Sequence, residues 1–370
     1  MALLTRLSIR DFRNLERAEL EFPPDGVAVI GDNGQGKTNL LEAIYYFQLL
    51  RSVRGARDAD LVRFGASAFH VHATVTTNGE HELSAAFGRG KKRVIVDGAE
   101  AKRLSGALGS LPAIVVSPRD VALVSGSPSE RRRFLDVALA LTSPRYLHAL
   151  QKYRGALTRR NAALRGVARG MQSDESVAVW EPAMAESGAV LLSERFAWMQ
   201  RHEPDFTRLA TAIGEPEPMT MRYTTSLENP RDAEAELSET LARKRTLDIR
   251  RGLTHAGPHR DDIALQIGGH DLRTFGSGGQ QRTAAITLRL LEAETLKAHA
   301  GSEPLLLLDD PFAELDVRRS SHILTLLRET VTGQTILTVP RSGDIPPDLS
   351  NLARWRISAG TLGPIKSNVA

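Results

Sequence analysis

Gly26-Val-Ala-Val-Ile30, then Gly31-Asp-Asn-Gly-Gln-Gly36-Lys37-Thr38, then Asn39-Leu-Leu-Glu-Ala-Ile-Tyr-Tyr-Phe47: this is the stretch on which the fold turns. Apolar residues without polar alternation predict a strand buried on both faces, the pattern of a parallel sheet. The next residues fit G-x-x-x-x-G-K-[ST] in full, and Asn39 to Phe47 read as a helix. Glycines at 31, 34 and 36 let the backbone curl until its N–H groups converge on a phosphate. Lys37 adds a point charge for the β- and γ-phosphates, and Thr38 offers a hydroxyl to Mg2+. A chance glycine-rich turn would match the letters but would not place a strand before them and a helix after.

Two further motifs lie far downstream. Leu305-Leu-Leu-Leu308-Asp309-Asp310 predicts a second buried strand that delivers carboxylates at its C-terminal end. Asp309 is the candidate Mg2+ ligand beside Thr38, and Asp310 is the candidate for orienting or deprotonating an attacking water, with Lys37 as the other catalytic candidate. Ser277-Gly278-Gly279-Gln280 opens a helix predicted from Gln280 to about His299. Its free N–H groups and dipole make a second anion site. The first loop already covers one nucleotide, so this second site is read as facing the nucleotide of another copy; the competing reading is an ordinary N-capped helix.

Between these motifs the character of the chain changes twice. Leu7, Ile9 and Phe12 mark a short N-terminal strand, and residues 66 to 117 read as an antiparallel sheet, with turns at Asn78-Gly79 and Asp97-Gly98. From 128 to 250 the pattern is helical. Tyr146, Leu150, Tyr153 and Leu157 form one stripe, 166 to 176 is a polar break, and Trp180, Met184, Leu191 and Trp198 resume the spacing. Two such helices predict an antiparallel hairpin projecting as an arm. Strands return at Ile263 to Ile267 and at Asp271 to Thr274. The expected division is a head lobe over 1–120, a helical arm domain over 121–250 and a second head lobe over 251–370, an α/β fold of mixed sheets and helices.

Composition excludes more than it selects. With no cysteine among 370 residues, disulfides, thiolate zinc sites, iron–sulfur ligation and cysteine nucleophiles are all absent. No apolar run approaches a membrane span, and Arg6, Arg10 and Asp11 interrupt any signal-peptide core, so a cytoplasmic, nucleoid-associated protein is expected. The net charge of +4 permits nucleic-acid binding without demanding it, and 5% aromatic content disfavours a base-stacking platform.

In their order, the P-loop, Ser-Gly-Gly-Gln, the acidic strand and Glu314-Leu-Asp316 resemble those of the ABC-type ATPases. Phe12-Arg-Asn14, Gly34-Gln-Gly-Lys-Thr-Asn-Leu-Leu-Glu-Ala-Ile44 and Ser125-Gly-Ser-Pro-Ser-Glu-Arg-Arg-Arg-Phe-Leu-Asp136 resemble the RecF family. So do Gly257-Pro-His-Arg-Asp-Asp262 and Ser277-Gly-Gly-Gln-Gln-Arg-Thr283. The resemblance implies a P-loop ATPase head with an inserted helical arm, weak DNA-stimulated hydrolysis, and an ATP-dependent homodimer around two sandwiched nucleotides. It also implies DNA binding at single-strand gaps or single-strand/double-strand junctions, and cooperation with RecO and RecR in loading RecA during recombinational repair. Motif and resemblance together place nucleotide contacts at Arg13, Asn14, Gly31, Asn33, Gly34, Gln35, Gly36, Lys37, Thr38 and Asn39, and at Ser277, Gly278, Gly279 and Gln280.

The sequence departs from the wider ATPase pattern at three points. Asp310 stands where transporters use the longer Glu, which predicts slow hydrolysis. Gln334-Thr-Ile-Leu-Thr-Val-Pro340 holds no switch histidine, and Ile114-Val-Val-Ser-Pro118 lacks a Q-loop glutamine. A transporter ATPase subunit is the alternative reading, but 272 residues separate Lys37 from Asp309, about twice what such a compact domain needs. A long-armed chromosome ATPase would need hundreds of coiled-coil residues or a Cys-x-x-Cys hook.

Residues 137–173 carry no acid but contain Arg145, Lys152, Arg154, Arg159, Arg160, Arg165 and Arg169. The first five are candidate DNA contacts, tracking phosphates along the arm; the alternative is a solvated helix face. Arg131 to Arg133 read either as functional or as pairing with neighbouring structure. His259 and Arg260 beside Asp261-Asp262 read as a hydrogen-bond network rather than a metal site.

Overall fold

The computed structural model describes residues 1–227, 232–312 and 317–365, so Glu314-Leu-Asp316 lies outside the described residues. The chain divides into two compact units, Met1–Asp120 with Glu292–Ala370, and Val121–Leu291. The expected arm boundary at 250 is therefore displaced: residues 251–291, including Ser277 to Gln280, belong with the helical unit.

The first unit begins with β1 (Leu3–Phe12), β2 (Leu15–Glu21), β3 (Gly26–Ile30), α1 (Lys37–Leu49), β4 (Ala68–Thr76), β5 (Glu80–Gly88), β6 (Lys91–Val96), β7 (Ala99–Glu100) and β8 (Ala113–Val116). The second unit contains α2 (Ala122–Ser125), α3 (Pro128–Thr142), α4 (Pro144–Ala168), α5 (Glu175–Ala178), α6 (Glu181–Ile213) and β9 (Met219–Thr224). It continues through α7 (Ala233–Arg251), β10 (Asp262–Ile267), β11 (His270–Asp271), α8 (Leu272–Phe275) and the start of α9 (Gly278–Ala300). The first unit resumes with β12 (Leu305–Asp309), α10 (Val317–Thr330), β13 (Thr335–Val339), β14 (Ala353–Ser358) and β15 (Thr361–Pro364).

Two sheets build the first unit. One is antiparallel in the order β2-β1-β4-β5-β6-β7. In β1, Leu7 and Ile9 are buried between outward polar residues, the alternation of a sheet with one face on the core, and a register shift between Leu4 and Arg6 lets Leu4 join the same buried side. The other runs β15-β14-β3-β13-β12-β8, parallel except for β15. Every residue of β3 is buried because strands pair on both sides of it and side chains pack on both faces, which is why its sequence does not alternate. The expected antiparallel stretch of 66–117 thus ends early: β8 leaves it to pair in parallel with β12.

In the second unit α4 and α6 pack along one another and against α7, with Tyr146, Leu150, Tyr153, Met184, Leu191 and Trp198 buried as their spacing requires. The sheet order there is β11-β10-β9. The expected strand Asp271 to Thr274 is not one. Asp271 caps a helical turn, its carboxylate accepting the Thr274 N–H at 2.9 Å, and this local bond ends the strand.

Candidate functional site

Four strands of the parallel sheet deliver the site from their C-terminal ends, where ligands bind in open α/β sheets. β3 leads into the loop 31–36, β12 into Asp309 and Asp310, β13 carries Thr338, and β8 leads to Pro118-Arg119. Together they border a cavity of about 350 Å³ lined by Asn33, Gly34, Gly36, Lys37, Thr38, Asn39, Arg54, Pro118, Arg119, Asp309 and Asp310.

The loop needs its glycines. Gly34 and Gly36 have φ of +82° and +116°, and a Cβ at Gly36 would stand 2.7 Å from Asn14 Oδ1. A Cβ at Gly31 would meet the Ile357 carbonyl oxygen at 2.5 Å. Thr38 Oγ1 donates to Asp309 Oδ2 at 2.8 Å, and Thr338 Oγ1 donates to the other oxygen, Oδ1, also at 2.8 Å. Both carboxylate oxygens are thus fixed by hydroxyls. Asp310 follows at φ +48°, a left-handed conformation that Asp tolerates better than most residues, and its N–H donates to Thr338 O at 3.0 Å.

Lys37 is 7% exposed. Its Nζ donates to the carbonyls of Gly31 and Asp32, the latter at 3.0 Å. Burial pulls its pKa below the ordinary lysine value against the opposing pull of Asp310, Asp309 and Asp32. A cation held, among the described residues, by neutral oxygens of its own loop, beside a hydroxyl–carboxylate pair, is a donor set that suits a polyphosphate and a divalent ion.

A polar chain braces the loop from behind. Asn14 Nδ2 donates to Gln35 O at 3.1 Å, Asn39 Nδ2 donates to Asn14 Oδ1 at 2.8 Å, and Arg54 Nη2 donates to Asn39 Oδ1 at 2.7 Å. Arg54 and Arg13 both pair with buried Glu42. Burial alone would raise the Glu42 pKa; hydrogen bonds from Arg54, Arg13 and Ser52 overrule it and hold the carboxyl below its usual range. Of the predicted contacts, Arg13, Asn14, Gly31 and Gln35 are not in the cavity wall. Gln35 turns its Oε1 to the Ala359 N–H at 2.5 Å, so its side chain anchors the β14–β15 turn. Arg54 and Arg119 line the wall unanticipated. The signal for Arg119 was its place three residues after the apolar run Ala113 to Val116.

Ser277, Gly278, Gly279 and Gln280 lie in the second unit. Ser277 Oγ accepts the Gln280 N–H at 3.2 Å and Gln280 Oε1 accepts the Ser277 N–H at 2.9 Å, a capping box that starts α9. Ser277 and Gly278 remain exposed.

The arm cations have separate fates. Arg160 is fully buried, donating to Glu181, Asp248, Thr254 and the Leu241 carbonyl, so it is withdrawn as a DNA contact. Position 160 continues the buried series 146, 153, which explains its inward direction. Arg154 pairs with Asp136 at 2.8 Å, Lys152 with Glu186 at 2.6 Å, and Arg145 lies 4.0 Å from Glu194. Arg159 stacks over Trp180 at 5.1 Å. Arg131 forms a bidentate pair with Asp262 at 2.7 and 2.8 Å. Among the described residues no helix is long and apolar enough to cross a membrane.

The family model described as RecF/RecN/SMC N terminal domain matches residues 3–345. The chain is 36% identical over 397 residues to the DNA replication and repair protein RecF of Roseiflexus castenholzii, covering 98% of this chain and 99% of that one. It is 34% identical to the DNA replication and repair protein RecF of Bacillus subtilis, covering 97% and 99%. Among solved structures it is similar to a recombination mediator protein RecF bound to ATP in the RecFOR pathway, with a TM-score of 0.89, 29% identity and 98% of each chain covered. An Smc head bound to the winged-helix domain of ScpA, at 17% identity and a TM-score of 0.56, shares the fold. With the head sheet, the loop at 31–38 and the Thr38–Asp309 pair all in place, the chain belongs to the RecF family of DNA replication and repair proteins.

Proposed function

We propose that this chain is an ATP-dependent DNA-binding protein whose nucleotide state controls its dimerisation. The observation that carries the reading is the Thr38–Asp309–Thr338 cluster beside Lys37, whose ammonium is satisfied only by loop carbonyls that a phosphate would replace. Thr38 and Asp309 are the residues that would hold Mg2+, which when bound neutralises charge on the β- and γ-phosphates. Asp310 orients or accepts a proton from the attacking water, and its short side chain predicts slow turnover. Ser277 to Gln280 of one copy face the γ-phosphate held by Lys37 of the other; the exposure of Ser277 and of neighbouring Phe275, 68% exposed, supports a surface reserved for a partner. ATP bound to both copies then stabilises the dimer, and hydrolysis releases it.

DNA at single-strand gaps or junctions is the proposed substrate, with RecO and RecR as partners in loading RecA; the RecFOR pathway named for the ATP-bound relative supports this assignment. Light scattering tests the nucleotide switch. Lys37→Ala is expected to abolish ATP-induced dimers, and Ser277→Arg to leave ATP binding intact while blocking dimerisation. Persistent ATP-dependent dimers in Lys37→Ala would sink the mechanism. Binding to single-stranded, duplex and gapped DNA across a salt series, with and without ATP, tests the rest: no ATP-dependent binding on any substrate overturns the DNA assignment.

A further inference from the structure

Three cations, Lys37, Arg54 and Arg119, stand in the wall of the head cavity, and the fold treats them differently. All three belong to the unit made of Met1–Asp120 and Glu292–Ala370. Lys37 is buried and donates to the carbonyls of its own loop. Arg54 is already engaged: its Nε donates to Glu42 at 3.1 Å and its Nη2 to Asn39 at 2.7 Å. Arg119 is exposed, and among the described residues nothing accepts a hydrogen bond from its guanidinium or pairs with its charge.

The backbone that carries Arg119 is nonetheless fixed. β8 and β12 are parallel neighbours, with Val116 beside Leu308. Past that pair one strand runs into Asp309 and Asp310 and the other into Ser117, Pro118 and Arg119. A 3-10 turn begins at Pro118, whose ring restricts φ. Asp120 is buried, its Oδ2 accepts the Ser117 N–H at 2.6 Å, and its own N–H donates to Ser117 O at 3.0 Å. The Arg119 side chain therefore starts from a rigid mount next to the acidic end of β12.

The sheet order β3-β13-β12-β8 sets the cations apart. Lys37 follows β3, Arg119 follows β8, and Asp309 and Asp310 lie between them. A phosphate attacked by a water on Asp310 must itself approach Asp310, and like charges repel there. Lys37 offsets that repulsion from the β3 side. On the β8 side the cation that lines the cavity is Arg119.

We propose that Arg119 reads the terminal phosphate of the bound nucleotide, so that the cavity distinguishes a nucleoside triphosphate from a diphosphate. The assignment rests on the nucleotide reading above and adds to it a specificity-determining residue. A guanidinium is always charged and offers paired donors that match two phosphate oxygens. With no phosphate beside it the side chain stays hydrated, so the empty site leaves no buried unpaired charge. A diphosphate is held by Lys37 and the loop N–H groups and leaves Arg119 in water.

Calorimetric titration of the full chain with MgATP and with MgADP tests the assignment. Arg119→Gln is expected to weaken MgATP binding about tenfold or more, the loss of one charge-assisted hydrogen-bonding group, while MgADP affinity changes less than about twofold. Arg119→Lys, which keeps the charge, is expected to recover part of the MgATP affinity. Since the side chain is exposed and unpartnered among the described residues, the urea midpoint of both variants should match the wild type. MgATP affinity unaltered by Arg119→Gln overturns the assignment, and so does an equal loss for both nucleotides. A wild-type chain that binds neither nucleotide is a different result, and overturns the nucleotide reading together with this one.

Discussion

Lys37 in the head and Arg160 in the arm are both buried cations, and their surroundings are opposite. Lys37 meets the carbonyls of Gly31 and Asp32, and among the described residues no carboxylate is bonded to it. Arg160 is enclosed by Glu181 at 3.0 Å and Asp248 at 2.8 Å, with Thr254 and a backbone carbonyl taking its remaining protons. A desolvated charge is costly unless paired. Arg160 has been paired by the fold and is committed to structure, whereas Lys37 is left for an anion to complete. Of these two buried cations, the one without a carboxylate is the one we propose for nucleotide binding.

Removing each charge tests that contrast. Arg160→Ala leaves Asp248 with His255 alone and is expected to cost roughly 3–5 kcal/mol, read as a lower urea midpoint. Lys37→Ala is expected to change stability by under about 1 kcal/mol while eliminating ATP binding. Equal destabilisation by the two would break the comparison.

His259 sharpens it from the side of a group kept neutral. Its pKa is about 4 in the folded chain against 6.5 unfolded, so between those values the unfolded state binds more protons. Stability therefore falls as pH drops from 6.5 toward 4, by roughly 3 kcal/mol from this residue, and is retained above 6.5. Urea midpoints across that window should show the slope in the wild type and a flatter one in His259→Asn; parallel slopes would reject the assignment. A smaller effect than at Arg160 or His259 is expected at Ser277. Ser277→Ala breaks the capping box and should cost about 1 kcal/mol in thermal unfolding, and no loss would mean that α9 starts without its cap.

The head site was legible where local chemistry carries it. A buried parallel strand cannot alternate, so Gly26 to Ile30 and Leu305 to Leu308 announced themselves, and the loop between strand and helix admits few residue types. Positions 146, 153 and 160 share one stripe, but an arginine there read as a candidate DNA contact or a solvated charge until Glu181 and Asp248 supplied partners. Gln35 could not be read. Its side-chain partner, Ala359, is 324 residues away, and a glutamine in a phosphate loop looks like a phosphate contact. Ser277-x-x-Gln280 was legible as a cap and as an anion site, and its geometry here is that of a cap.

By itself, then, the sequence determined the phosphate loop, the acidic strand and the helical character of the middle segment, because each depends on residues adjacent along the chain or one helical turn apart. Only the tertiary structure decided that β8 joins the parallel sheet and brings Arg119 to the head cavity. It also decided that residues 251–291 pack with the arm and that Asp309 is held by hydroxyls from both sides. The physical reason is pairing over distance. A charge or a strand edge is complete or incomplete only relative to what lies across from it in space, and those partners are set by packing, not by neighbours in sequence.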